Sequence, residues 1–270
     1  MSEDLSTILS ETSDCQDFYS QPEIFSSIMQ DTHEKQEFAR TVVRKINSLI
    51  AFEKKPLHIL DIGVHDGFLT LKWLQEVAPK LPAGSSVTCI EPNLEATKSF
   101  RQKTVPENVN FIFVNETTEA FLRLLSRRFD LTVASHCFYW SDNFWDMVKS
   151  LNSISDHMLI AIQDVFGIFE IRSRYESKLK RSGFNLYNTN MLQDLLKETA
   201  ISFEKKSVSS DYPLFSEKDP RTRLLVSFIL QTPAEEITAS EIKDVYALIT
   251  QKNRECFTSY GCFFELDSRV

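Results

Sequence analysis

Long apolar runs and concentrated positive charge are both missing from this 270-residue sequence. No stretch approaches the ~20 consecutive apolar residues that a membrane-spanning helix requires, so we expect no membrane partner. Acidic residues outnumber basic ones, 38 to 30, and the formal net charge is −8. Because nucleic-acid binding requires a concentrated basic surface, and no long Lys/Arg run is present, we also expect no nucleic-acid partner. Small cationic or neutral ligands suit this charge better.

Paired cysteines are missing as well. The chain has five cysteines, an odd number, and no C-x-x-C pair. This argues against a disulfide framework and for a reducing compartment. Residues Met1 to Asp14 are acidic and polar, unlike a secretory signal. We therefore expect a cytoplasmic protein with free thiols at Cys15, Cys89, Cys137, Cys256 and Cys262.

Motifs for a covalent nucleophile or a catalytic metal are also missing. The sequence contains no G-x-S-x-G elbow, no H-E-x-x-H pair and no Walker-type lysine loop. We therefore expect neither a metal nor a covalent intermediate. The length fits one α/β domain, or one core domain with a sizeable insertion.

Two segments organise the rest of the chain: LHILDIGVHDGFLT (Leu57–Thr70) and SVTCIEPN (Ser86–Asn93). The first predicts a short apolar strand, a glycine turn and an amphipathic helix. The second predicts a strand that ends on an acid, Glu91. Such a βαβ unit holds nucleotide-like ligands, because glycines in the turn let the backbone approach them and the acid accepts ribose hydroxyls. The alternative is an ordinary strand-turn-helix unit with incidental glycines.

The turn departs from the dinucleotide pattern G-x-G-x-x-G. His65 stands where the central glycine would be, and Asp66 adds a negative charge, so the turn disfavours a pyrophosphate. A ligand with a ribose and a cationic centre suits it better. At this point the chain resembles the class I S-adenosylmethionine-dependent methyltransferases, whose first motif D/E-x-G-x-x-x-G is matched by Asp61, Gly63 and Gly67. This resemblance implies S-adenosylmethionine as the cofactor, with Glu91 as the acid that binds its ribose.

Strands and helices alternate from residue 57 to residue 163, which predicts a parallel doubly wound sheet. Its predicted strands are His58–Ile62, Val87–Ile90, Val109–Val114, Asp130–Ser135 and His157–Gln163. Every predicted strand ends in polar or aromatic residues, and ligands of such sheets bind at these carboxyl ends. Beyond them we predict a helix over Phe169–Lys180, a strand over Ser202–Ser209, helices over Asp219–Leu230 and Ser240–Phe257, and a closing strand over Gly261–Leu266.

The fold class predicted from this order is α/β, a doubly wound, mostly parallel seven-stranded sheet of the Rossmann-like methyltransferase type. We expect it to carry an N-terminal helical leader and inserted helices near the C-terminus. The three expected parts are a leader or lid (1–50), a cofactor-binding α/β core (51–166) and a completion of the sheet with a substrate-side helical insertion (167–270).

The segment HCFYW (His136–Trp140) follows the fourth predicted strand, where class I enzymes place a substrate-facing motif. Aromatic faces attract cationic methyl and ammonium groups, and His136 is suited to bind or deprotonate a donor atom. We therefore predict His136 as the catalytic residue. The segment is not the D/N-P-P-Y/F signature of amide or adenine methylation. The alternative is core packing of the three aromatic residues, with His136 as a satisfied polar neighbour.

Four segments are similar to the animal histamine N-methyltransferase group: the leader DFYSQPEIFSSIMQDTHEKQEF, the IEPN turn, the NETTEAF loop and the FYW triplet. His136 stands where that group has a glutamine. Together with the class I motif, the resemblance implies cofactor contacts at Asp61, Gly63, His65, Gly67, Glu91, Pro92, Asn115, Glu116, Thr117, Thr118, Ser135 and His136. It also implies an amine-facing acid and aromatic walls among Phe18, Tyr19, Asp31, His33, Glu34, Tyr139, Trp140 and Phe169.

The sequence thus predicts S-adenosylmethionine-dependent transfer of a methyl group to a small molecule, at an amine or imidazole nitrogen. A protein methyltransferase for lysine or a terminal amine shares the same fold and is the second hypothesis. A third is a binding module that keeps the cofactor site without catalysis, because His65 replaces a glycine there. The oligomeric state does not follow from the sequence.

Overall fold

A computed structural model of the chain describes residues 32–124, 127–251 and 255–268. Seven strands form one sheet in the order β3-β2-β1-β4-β5-β7-β6. The first five in sequence are parallel to one another, and β7 is antiparallel to both β5 and β6. This confirms the predicted seven-stranded, mostly parallel sheet. The strands are β1 (His58–Ile62), β2 (Ser86–Ile90), β3 (Asn110–Val114), β4 (Phe129–Ser135), β5 (Ser155–Gln163), β6 (Phe203–Pro213) and β7 (Cys256–Asp267).

Helices cover both faces of the sheet, so its central strands are apolar on both sides. Successive residues of a strand point to opposite faces; Leu159 and Ile160 in β5 accordingly belong to different core clusters. The helices are α1 (His33–Glu53), α2 (Phe68–Val77), α3 (Leu94–Arg101), α4 (Thr118–Leu124), α5 (Phe144–Ile154), α6 (Ile168–Arg174), α7 (Glu176–Arg181), α8 (Thr189–Glu198), α9 (Pro220–Leu230) and α10 (Ala239–Ile249).

Helix α1 begins at His33, because the Thr32 side chain accepts a hydrogen bond from the Lys35 N–H and caps it. Its buried stripe includes Phe38, Val42 and Ile46 at helical spacing, and Phe38 packs against Phe263 of β7. The predicted leader residues Phe18, Tyr19 and Asp31 lie outside the residues that the structure describes.

The last two strands extend above the rest of the sheet. Gln163 at the end of β5 pairs with Gly261, whereas residues 256–260 of β7 pair only with β6. Helices α6, α9 and α10 pack around this extension in a third apolar cluster that includes Tyr212, Val226 and Val245. The extension therefore forms a wall beside the carboxyl ends of β4 and β5, where ligands of this fold class bind.

Two predicted helices in this region were wrong in their extent. The helix predicted over Phe169–Lys180 is two helices, α6 and α7, separated at Tyr175. The helix predicted over Ser240–Phe257 ends at Ile249, and Cys256 and Phe257 instead begin β7. Their pairing with β6 is a tertiary contact, which overrides the local helical pattern. Within the described residues, no helix is both long enough and apolar enough to cross a membrane.

Candidate functional site

The turn after β1 is held in a left-handed conformation by close packing. Gly63 and Gly67 have φ values of 67° and 74°, which favour glycine. A Cβ at Gly63 would lie 2.5 Å from the Cβ of Cys137, and one at Gly67 would overlap the ring of Phe100. Both glycines therefore also allow the turn to pack closely against neighbouring side chains. The two residues fix the course of the turn, and the neighbouring strand ends then face the site.

Glu91 lies at the end of β2, and two backbone groups hold its carboxylate. Its Oε2 accepts the His65 N–H at 2.7 Å, and its Oε1 accepts the Asn93 N–H at 2.9 Å. The side chain is buried, and this burial raises the pKa of Glu91. A carboxylate has about four acceptor positions, so one lone pair on each oxygen remains. The acid is therefore fixed in place and is still able to accept two further hydrogen bonds.

Two other acids lie beside the turn. Asp61 accepts the Thr70 hydroxyl at 2.7 Å, and burial raises the pKa of Asp61 to about 7. Asp66 behaves differently: although burial acts in the opposite direction, hydrogen bonds from His65 and Lys103 hold the pKa of Asp66 well below its usual range. Lys103 Nζ lies 2.6 Å from Asp66 Oδ2. The pairing with Lys103 offsets part of the negative charge that we expected Asp66 to present to a ligand.

A buried cation that sequence reasoning missed lies near the same turn. Lys35, in the first turn of α1, is 9% exposed, and its Nζ is 5.8 Å from the centre of the Phe68 ring. Burial lowers the pKa of Lys35 to about 8, partly offset by the negative charges of Asp66 and Glu34. Its position in the amphipathic pattern of α1 is the only sequence signal for it.

A chain of hydrogen bonds joins α1 to the end of β4. Glu34 Oε1 lies 2.7 Å from His136 Nε2, and His136 Nδ1 lies 2.9 Å from the Tyr139 hydroxyl. His136 has a φ of 52°, which turns the chain sharply after β4. The structure thus brings together two residues, 102 positions apart, that were predicted separately as an amine-facing acid and a catalytic histidine.

Strands β6 and β7 hold Glu34 from the other side. The Glu34 N–H donates to the Ser210 hydroxyl at 2.8 Å. A Cβ at Gly261 would overlap Glu34 Oε1 and lie 2.8 Å from its Cδ. Sequence reasoning missed both residues, although a glycine inside a strand signals close approach by another group. Within the described part of the chain, Glu34 Oε2 has no hydrogen-bond partner.

Tyr139 is a buried support for His136. The ring is 3% exposed and stacks on Phe184 at 5.0 Å. Its hydroxyl accepts the backbone N–H of Gln163 at 2.8 Å, and burial raises the pKa of Tyr139. We predicted Tyr139 and Trp140 as walls of a substrate site; Tyr139 reaches such a site only through His136, whereas Trp140 is half-buried against Phe184.

The other predicted positions lie in the loops around these strand ends. Asn115, after β3, donates to the Glu91 carbonyl at 3.2 Å and to the Thr97 hydroxyl at 2.7 Å, which ties two loops together. Thr117 is exposed, and its hydroxyl accepts the Ala120 N–H at 3.2 Å. The remainder are Pro92 and His33, which are exposed, Glu116, Ser135 and Phe169, which are half-buried, and Thr118, which is buried.

The sheet order, with β1 and β4 adjacent at the switch point and an antiparallel β7, defines the class I methyltransferase fold. Solved structures with this fold match the chain at low sequence identity. A candidate methyltransferase from Bacillus halodurans aligns with a TM-score of 0.58 and 11% identity, over 84% of this chain and 99% of that one. No known family profile matches the sequence, and no curated protein does.

Two further neighbours were solved with S-adenosylhomocysteine bound. The plantazolicin methyltransferase BpumL, also in complex with a pentazolic desmethylPZN analogue, has a TM-score of 0.52 and 14% identity, over 93% of this chain and 91% of that one. Magnesium protoporphyrin IX methyltransferase from Synechocystis has a TM-score of 0.50 and 11% identity, over 93% and 89%. At these identities the likeness shows the fold alone.

Proposed function

We propose that this protein is an S-adenosylmethionine-dependent methyltransferase acting on a small molecule. The observation that carries the proposal is the Glu91 carboxylate, which two backbone N–H groups hold at the carboxyl end of β2 with one lone pair left on each oxygen. This position beside the switch point is where sheets of this class bind ligands. Bound S-adenosylhomocysteine in two neighbours of the same fold supports the choice of cofactor.

The charges around the turn fit a cationic cofactor. Asp61 and Glu91 are both buried acids whose pKa values burial raises, so a positive group nearby would stabilise their ionised forms. Glu91 is placed to accept the ribose hydroxyls, and Asp61 contributes negative charge beside the turn. The loops with Asn115 to Thr118 and Ser135 would line the rest of the site. When bound, S-adenosylmethionine supplies an activated methyl group on a sulfonium.

We further propose that the acceptor atom is an amine or imidazole nitrogen, as in the histamine N-methyltransferase group. Glu34 Oε2 is the acceptor position at the other end of the site. Ser210 holds the Glu34 backbone N–H, and His136 holds the carboxylate at Oε1. A buried carboxylate binds an N–H or ammonium donor with a charge-assisted hydrogen bond. Once the nitrogen is neutral, an acid held in this way orients its lone pair toward the methyl group.

Binding and turnover are tested in separate experiments. Isothermal titration calorimetry should show that S-adenosylhomocysteine binds and that a nicotinamide dinucleotide does not. Glu91→Gln should weaken this binding, whereas Glu95→Gln, which changes an exposed acid on the following helix, should not. Binding of the dinucleotide alone would refute the cofactor assignment.

Turnover is then measured with methyl-labelled S-adenosylmethionine and a panel of small amines and imidazoles. Label in a small product supports the proposal. Label in protein from an added cell extract identifies a protein methyltransferase instead. Cofactor binding with no acceptor among either set identifies a silent binding module.

A further inference from the structure

The hydrogen bonds of the Tyr139 hydroxyl determine where its proton lies. Within the described residues the oxygen has two partners, the backbone N–H of Gln163 at 2.8 Å and His136 Nδ1 at 2.9 Å. A backbone N–H only donates, so the acceptor available to the hydroxyl proton is Nδ1. Because Tyr139 is 3% exposed, any other direction would leave this proton unpaired in the protein interior, which is costly.

This arrangement fixes the tautomer of His136. A neutral imidazole carries one proton, and since Nδ1 accepts from Tyr139, that proton must be on Nε2. Nε2 lies 2.7 Å from Glu34 Oε1, so it donates to the carboxylate. The hydrogen bonds therefore run in one direction, from Tyr139 through His136 to Glu34. Both ring nitrogens are used, and neither has a free lone pair for an acceptor molecule.

We propose that Glu34, at its Oε2, receives the proton released by the methyl acceptor, and that Tyr139 is a positioning residue that holds His136 in its Nε2–H form. In this arrangement His136 supports Glu34 and does not have the catalytic role predicted from sequence. The proposal rests on the proposed function. The nitrogen lone pair forms the bond to the methyl carbon, the carbon–sulfur bond breaks with its electrons on sulfur, and the nitrogen's proton passes to Oε2.

Charged and titratable groups reach His136 from several elements of the described chain. Glu34 from α1 lies 2.7 Å from Nε2; Arg172 of α6 donates to Gln163 Oε1 at 2.9 Å, and the Gln163 N–H donates to the Tyr139 hydroxyl. Tyr139 disfavours a proton on Nδ1, because the Tyr139 hydroxyl proton would then have no acceptor. Cys137 is next to His136 in sequence. Tyr212 of β6 is buried near Glu34: burial and the negative charge of Glu34 raise the pKa of Tyr212.

Nitrogen NMR of the histidine rings tests the tautomer without any requirement for activity. In the full chain labelled with 15N-histidine, His136→Asn identifies the His136 signals among the five histidines. At pH 8 we expect Nε2 to be protonated and Nδ1 to be an unprotonated, hydrogen-bonded nitrogen. A protonated Nδ1 in the unchanged protein would overturn the proposal, whether or not any variant folds.

Two tyrosine variants test the positioning role. In Tyr139→Phe no hydroxyl donates to Nδ1, so the form of the ring with its proton on Nδ1 should become populated, and the two ring nitrogen signals should move toward each other. Tyr187→Phe is the matched control, because its hydroxyl donates to the Ser141 carbonyl and does not contact His136. The same tautomer of His136 in all three proteins would overturn the role of Tyr139.

A third comparison tests the assignment of Glu34 as the proton acceptor, and its outcomes differ from those that would refute the proposed function. Glu34→Gln should lower kcat about 100-fold or more with little change in S-adenosylhomocysteine affinity. His136→Gln should retain more turnover than Glu34→Gln. Glu37→Gln, an acid on the same helix that pairs with Lys206, should match the unchanged protein. Greater loss from His136→Gln than from Glu34→Gln would overturn the proposal, whereas absent cofactor binding in the unchanged protein would refute the proposed function itself.

Discussion

Replacing Gly261 by alanine should displace the acid at the acceptor end of the site and leave the cofactor end intact. Gly261 is paired in the middle of the sheet with Gln163, and its backbone conformation is open to any residue, so the effect of a methyl group there is steric. The added Cβ would lie 2.8 Å from Glu34 Cδ. Ordinary carbon–carbon contact is about 3.5–4.0 Å, so the carboxyl group must retreat by about 1 Å.

A retreat of this size breaks the contact that orients Glu34. The 2.7 Å distance between Glu34 Oε1 and His136 Nε2 would exceed hydrogen-bonding range if the movement were directed away from the ring. A misplacement of about 1 Å at a reacting group costs up to about 100-fold in rate. We expect a decrease of this order in turnover of the acceptor that the amine screen identifies, with S-adenosylhomocysteine affinity unchanged in calorimetry.

A second substitution provides the control. Glu34→Asp shortens the side chain by one carbon–carbon bond, about 1.5 Å, and makes room for the added methyl group. If the two substitutions acted independently, the losses of Glu34→Asp and Gly261→Ala would multiply in the double variant. We expect the double variant to be more active than this product. Full turnover in Gly261→Ala, or additive losses in the double variant, would show that the crowding around Glu34 has no part in its function.

Three further substitutions test the cofactor side. Glu91→Gln should weaken S-adenosylhomocysteine binding by about 1–3 kcal/mol in calorimetry, because charge-assisted hydrogen bonds are lost. Gly67→Ala should lower the urea-unfolding free energy by about 2–4 kcal/mol, since it strains a left-handed residue and overpacks Phe100; unchanged stability would contradict the packing described. The pKa of Asp61 is about 7 in the folded protein, above the usual aspartate value of 3.8. The ligand-free protein therefore binds more protons than the unfolded chain between pH 4 and 7, and it loses up to roughly 4 kcal/mol of stability as the pH rises through this window. Asp61→Asn should therefore match the unchanged protein in urea melts at pH 4 and exceed its stability at pH 8.

The parallel half of the fold follows from local pattern. Strand β1 has the predicted bounds, and β2 to β5 differ from the predicted ones by one or two residues, because each is a short apolar run bounded by polar or turn residues. The end of α10 at Ile249 could not be predicted this way. The residues after it form strand only because β6 lies beside them.

The sequence indicated which residues belong to the candidate site, but not which of them form hydrogen bonds and ion pairs with one another. The patterns and the family resemblance indicated Glu34, His136 and Glu91 individually. The pairing of Asp66 with Lys103, and the support of Glu34 by Ser210 and Gly261, depend on strand register and loop course, which a single sequence does not encode locally. The same holds for Tyr139: its aromatic character suggested a wall, and only the folded structure shows that its hydroxyl lies 2.9 Å from His136 Nδ1.

Because β6 and β7 extend above the sheet, the two ends of the site are built from different parts of the chain. The two groups that hold the Glu91 carboxylate, His65 and Asn93, come from one short continuous stretch of the chain. The surroundings of Glu34 combine α1 with His136 and with strands more than 170 residues later. Selection for a different acceptor could therefore act on α1 and on strands β6 and β7 alone. Exchange of these segments between related chains would vary the acceptor end of the site and keep the cofactor end constant.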